Sequence, residues 1–180
     1  MELLSPAGNR EALTAAVACG ADAIYLGYTA FGARSFAGNF DAEGLREAID
    51  YAHERGKKIY VTVNTLVKQR ELHSAGEDDL CDVLELLCRV GADAAIFQDL
   101  GAVRIARAQF PELSLHASTQ MTVNNAQGAK LLRDLGFARV VPARECSLAE
   151  LKRMADTGVE IEAFANARFA VPFIVYRLTK

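Results

Sequence analysis

GADAIYLG (20–27), GKKIYVTVN (56–64), GADAAIFQD (91–99), GFARVVPAR (136–144) and GVEIEAFAN (158–166) are five versions of one phrase. In each, an amphipathic stretch ends in glycine and runs directly into a short apolar segment. A helix commonly stops with a left-handed residue just past its end, which glycine adopts without steric cost. Helix, glycine and buried strand, repeated, is the pattern of parallel α/β architecture, where crossover helices cover the strands. Such folds place their chemistry at the carboxyl ends of the strands.

Working outward from these junctions, the pattern predicts strands over 2–4, 23–26, 58–64, 94–98, 113–117, 138–142 and 160–164. Helices are predicted over 10–19, 42–55, 78–90, 102–109, 125–135 and 148–156. Asp41 is placed as an N-cap, and Ser147 with Glu150 three residues on reads as a capping box. Seven strands and six helices in alternation leave two architectures, an open doubly wound sheet or a (β/α) TIM-type barrel that is incomplete. The first strand–helix turn, Ser5-Pro6-Ala7-Gly8-Asn9, lacks the G-x-G-x-x-G of a dinucleotide-binding sheet, which favours the barrel. The cost of that reading is that the first and seventh strands become unpaired edges.

The chain has 180 residues, 51% of them hydrophobic, enough for one domain with a proper core, and a net charge of −3. That charge makes no global case for binding a polyanion, though a local basic patch is compatible with it. Cys19, Cys81, Cys88 and Cys146 form no C-x-x-C pair and read as buried reduced thiols, so no metal site is expected. No basic, signal-like leader opens the chain, and its longest apolar run, 169–176, is too short to span a bilayer. A cytoplasmic location is expected.

Alternation along the strands sets Tyr60, Thr62 and Asn64 on one face, and Ser114, His116 and Ser118 on another. In a barrel these faces look inward, either as a self-satisfied hydrogen-bonded interior or as a substrate cavity. The strand tips carry Asn64, Gln98, Asp99, His116, Ser118, Gln120, Arg144 and Glu145. His116, Glu145 and Asp99 are the candidate catalytic groups, and Arg34, Asn64, Gln98, Ser118, Gln120 and Arg144 the candidate substrate-binding groups. Each has a plainer reading: a strand histidine packs in cores, and Arg144-Glu145 can be a local ion pair. The loop 28–40, with Phe31, Phe36, Phe40 and Arg34, and the loop 65–76 read as lids or as segments tucked on the rim.

At these residues the chain resembles the collagenase-like peptidase family. The matching stretches are ELLSPAGN (2–9), GADAIYLG (20–27), FGAR…F…NF (31–40), YVTVNTL (60–66), GADAAIFQDLG (91–101), HASTQM (116–121) and VVPARECSL (140–148), in order to about residue 164. The resemblance implies a barrel whose members are described either as collagen-degrading proteases or as proteins supporting oxygen-independent hydroxylation of an RNA base or a quinone precursor. It implies RNA or a small aromatic molecule as partner, and an iron–sulfur cluster in the full-length parent. After the seventh strand the family reads F-x-H-G-A-x-C, whereas this chain has Asn166, Ala167 and Ala170 at the His, Gly and Cys positions. The resemblance therefore covers residues 1–164, with 165–180 a divergent tail, and no cluster-binding cysteine is expected in this chain. A truncated family member, inactive alone, is the resulting expectation, its apolar tail either folding back across the open barrel seam or pairing with a second chain, with self-association through the open edge as the hypothesis. The protease alternative finds no G-x-S-x-G and no H-E-x-x-H here, and a non-catalytic binding barrel stays open beside it.

Overall fold

The computed structural model describes residues 2–33, 39–72, 79–164 and, for backbone only, 175–178. Seven parallel strands curl into a barrel: β1 (Leu3–Ala7), β2 (Ala23–Gly27), β3 (Lys58–Val63), β4 (Ala94–Phe97), β5 (Leu115–Ala117), β6 (Arg139–Val140) and β7 (Glu160–Phe164). Each pairs with the next in parallel register. The helices that cover them are α1 (Arg10–Ala18), α2 (Ala42–His53), α3 (Gln69–Leu72), α4 (Leu80–Val90), α5 (Leu100–Gln109), α6 (Ala126–Asp134) and α7 (Leu148–Ala155).

The helix ends follow local chemistry. Asn9, Asp41, Asp79, Asp99, Asn125 and Ser147 each cap a helix by accepting a backbone N–H in its first turn. The Ser147–Glu150 capping box forms in both directions. Gly20, Gly56, Gly91, Gly136 and Gly158 all have φ between 66° and 92°, the left-handed stop that the repeated phrase requires. Outward strand residues such as Ile24, Val61, Phe97 and Leu115 pack on Leu13, Leu45, Ile49, Leu84 and Leu87 of the helices, forming the main core. A second, smaller apolar cluster lies inside the barrel: Leu4, Ala23, Tyr60, Ala94 and Ile96.

Three features depart from the sequence reading. The first strand runs on to Ala7 through Pro6, whose missing N–H is no obstacle to the parallel pairing with Tyr25. The 65–76 loop carries the extra turn α3, so the described residues hold seven α-helices rather than six. The first and seventh strands are not open edges: β8 (Val175–Leu178) pairs antiparallel with both β1 and β7 and closes the sheet, which is the fold-back of the tail across the seam and not its pairing with a second chain. A closed sheet has no free edge, so the structural motive for self-association through one is gone. Among the described residues no helix is long and apolar enough to cross a membrane.

Candidate functional site

The barrel interior has two storeys. The lower one is ionic: Arg139 on β6, almost fully buried, lies 2.7 Å from Glu2, 3.1 Å from Glu160 and 3.3 Å from Glu162. The Tyr60 hydroxyl donates to Glu2 (3.0 Å), and the guanidinium carbon sits 5.0 Å from the Tyr60 ring centroid. The His116 ring meets Tyr60 edge-on at 4.7 Å. Burial works against the Arg139 charge, but Tyr60 and the surrounding carboxylates outweigh it and raise its pKa further. Burial also pushes the Tyr60 phenol up. For His116, burial, reinforced by Arg139 and Lys58, drives the imidazole well below its ordinary range, so it is neutral. Its Nδ1 is buried without a partner.

Above this layer opens a cavity of about 350 Å³ at the carboxyl ends of the strands, near the lower end of the usual range for small-molecule sites. Tyr25, Ile96 and Phe164 contribute its apolar walls, Asn39, Asn64, Ser118 and Gln120 its polar ones, and Glu162 reaches it from below. Arg144 stands over the Phe164 ring, 4.7 Å from its centroid. Local hydrogen bonds hold the walls. The Ala33 N–H donates to Asn64 Oδ1 (3.0 Å), and the Thr65 hydroxyl to the Phe31 carbonyl (3.2 Å), tying the β2–α2 loop to the end of β3. Ser118 Oγ accepts from Gln120 N–H (3.2 Å) at the head of a single 3-10 turn, Thr119–Met121. Gly27 leaves room for Asn39: a Cβ there would stand 2.6 Å from Asn39 Oδ1.

The structure therefore brings Asn64, Ser118, Gln120 and Arg144 to one cavity. It places the other candidates elsewhere. His116 faces the barrel interior but packs in the lower storey on Tyr60, outside the cavity lining. Asp99 caps α5, with Oδ1 accepting from Ala102 N–H (2.8 Å) and Oδ2 from Val67 N–H (3.4 Å). Gln98 is half-buried and Glu145 exposed, and neither lines the cavity. Arg34 lies outside the described residues. Glu162 and Asn39 were missed. The signal for Glu162 was present in EIEAF (160–164), where two glutamates at period two must share the inward face with Phe164. Asn39 sits in a loop without periodicity, and only the family-like stretch FGAR…F…NF (31–40) marks it.

The four cysteines lie on or beside the outer helices. Cys19 is exposed at the end of α1, Cys81 and Cys88 are half-buried on α4, and Cys146 precedes α7. Burial raises the thiol pKa of the last three. Among the described residues no three His, Cys, Asp or Glu side chains converge as a metal site.

The sequence profile described as peptidase family U32 matches residues 8–171. The chain belongs to that family. Within U32 it is 36% identical to the 23S rRNA 5-hydroxycytidine C2501 synthase of Escherichia coli, over 96% of this chain and 25% of the relative. It is 35% identical to tRNA hydroxylation protein P1 of Bacillus subtilis, over 96% of this chain and 40% of the relative. It is also 35% identical to an uncharacterized protease of Methanocaldococcus jannaschii, over 95% and 42%. The chain thus spans a quarter to about two-fifths of the length of these relatives. A solved U32 peptidase structure superposes with a TM-score of 0.73 at 17% identity, over 89% of this chain and 66% of that one, and shows the same fold.

Proposed function

We propose that this U32 chain is the barrel that binds the reacting ring in an RNA-hydroxylation protein, holding a nucleobase, or a small aromatic molecule of similar size, at the strand ends. The observation that carries this reading is the composition of the cavity. Tyr25 and Phe164 offer flat apolar surface, the carboxamides of Asn39, Asn64 and Gln120 offer donors and acceptors, and Arg144 stands at Phe164. Aromatic stacking with a few polar groups is how single-stranded bases are held. The names of the E. coli and B. subtilis relatives support RNA as the source of that base. Arg144 is assigned to a phosphate or other oxyanion on the ligand, since a guanidinium fork suits oxyanions.

The chain's own residues bind and orient, and an iron–sulfur cluster of the full-length parent would supply the redox chemistry of the oxidation. The protease reading, carried by one relative's name, has less to stand on. Among the described residues no serine, threonine or cysteine side chain hydrogen-bonds a histidine, and neutral His116 has an unpartnered Nδ1. Calorimetric titration of the purified chain with uridine, cytidine and their 5′-monophosphates tests the proposal. Saturable binding that Arg144→Ala weakens chiefly for the monophosphates is expected; absence of binding, or binding unaffected by Asn64→Ala and Arg144→Ala, refutes it.

A further inference from the structure

Among the described side chains, the Arg139 guanidinium meets three carboxylates beneath the cavity. With Glu2, Glu160 and Glu162 all ionised around Arg139, the set carries a formal charge of −2 in a barrel interior, where uncompensated charge is costly. A proton on one carboxyl relieves that charge. Glu160 is 30% exposed and Glu2 11%, so water assists both, whereas Glu162 is 6% exposed and has the longest contact with the guanidinium. Glu162 is also the member of the set that lines the cavity.

We propose that Glu162 binds the polar edge of the ring as a neutral carboxylic acid, its O–H donating to a ring nitrogen or carbonyl oxygen. The carboxyl carbonyl can then accept the adjacent ring or exocyclic N–H, so the class selected is an uncharged nitrogen heterocycle with an acceptor beside a donor. An anionic aromatic molecule would be disfavoured by the carboxylate-rich layer below. This inference rests on the base-binding reading above and adds to it the group that reads the base.

Burial, aided by repulsion from Glu2 and opposed by Arg139, lifts the Glu162 carboxyl to about 7, so both forms exist near neutrality. The charged and titratable neighbours are Glu2 ahead of β1, Tyr60 on β3, His116 on β5, Arg139 on β6 and Glu160 on β7. Lys58 lies further off at the start of β3, and Arg144 stands at the cavity. Arg177 occupies the register position opposite Glu162 on β8. Of the interior groups, His116 is neutral below this range and Tyr60 is protonated above it.

The test is cytidine and uridine affinity by calorimetry at pH 6 and pH 8 for wild type and Glu162→Gln, with a carboxyl-carbon NMR titration of glutamate-labelled wild-type protein. Ionisation of one required proton predicts an affinity about tenfold weaker at pH 8 than at pH 6 for wild type. The Glu162→Gln amide, a neutral donor and acceptor, should bind with no such pH dependence. The free protein should show one glutamate titrating near 7. Wild-type affinity independent of pH, or every glutamate titrating near its ordinary value, overturns the role of Glu162 while leaving base binding intact. No binding of either nucleoside at either pH overturns the base-binding reading and this inference together.

Discussion

Arg139 Nη1 lies 2.7 Å from Glu2 Oε1, so the sixth parallel strand is tied to the residue that precedes the first. Sequence separates them by most of the chain; the barrel makes them neighbours across its axis. The pair anchors the layer on which the cavity rests, because the same guanidinium reaches Glu162 in the cavity floor.

Removing that cation should be costly. Arg139→Met removes the cation that Glu2, Glu160 and Glu162 share, and breaking a buried pair from one side destabilises by about 3–5 kcal/mol. Chemical denaturation should show a midpoint lowered accordingly, and a variant as stable as wild type would show that the layer is hydrated and weakly coupled.

Glu162 should make stability fall as pH rises. Its folded-state pKa is about 7 against an ordinary 4.5. Below about 4.5 both folded and unfolded chains hold the proton and the contribution is complete. Between about 4.5 and 7 only the folded chain holds it, and above about 7 the contribution is gone. Denaturation midpoints at pH 5 and pH 8 should therefore fall more for wild type than for Glu162→Gln, which lacks the proton; equal changes would contradict the assignment.

His116 should behave in the opposite sense. Its folded pKa is depressed below the ordinary 6.5 by burial, Arg139 and Lys58. Its contribution is present above 6.5 and lost as pH falls below 6.5 toward the folded value. Ring-carbon NMR should show a histidine signal that does not move between pH 8 and pH 6 and that is absent in His116→Gln. A His116 signal moving through 6.5 would place the ring in water.

Gly27→Ala should damage binding more than folding. The new methyl would stand 2.6 Å from the Asn39 carboxamide, the end of a side chain that can swing away, and into space the cavity uses. Nucleoside affinity should drop severalfold with little change in melting temperature. Adding Asn39→Ala to Gly27→Ala should restore the cavity volume though not the amide's hydrogen bonds. Unchanged affinity in the single variant would show that this wall does not touch ligand.

Deleting residues 165–180 removes β8 and bares the edges of β1 and β7. Parallel strands with open edges recruit other chains. Light scattering of the shortened chain should show mass rising with concentration relative to the full chain, and a monodisperse monomer would show that β8 is dispensable for guarding the seam.

The alternating fold was legible because its signals are local. A glycine after a helix, an Asp, Asn or Ser before one, and period-two alternation each act within a few residues, and they located the seven parallel strands and the caps of α2 and α7. Asn64, Ser118, Gln120 and Arg144 were legible for the same reason, as polar residues at the ends of strands or just past them. What tertiary structure decided is which residues become partners. Asp99 reads like a catalytic carboxylate at a strand tip, but the start of α5 claims it as a cap. His116 reads like a catalyst, but β5 places it one storey below the cavity, against Tyr60 from a strand two places round the barrel. Glu162 meets Arg139, and β8 meets β1, only once the sheet closes. The period of a strand states which face a side chain takes; its height in the barrel and its neighbour across the axis depend on inter-strand register and closure, which no local stretch of sequence encodes.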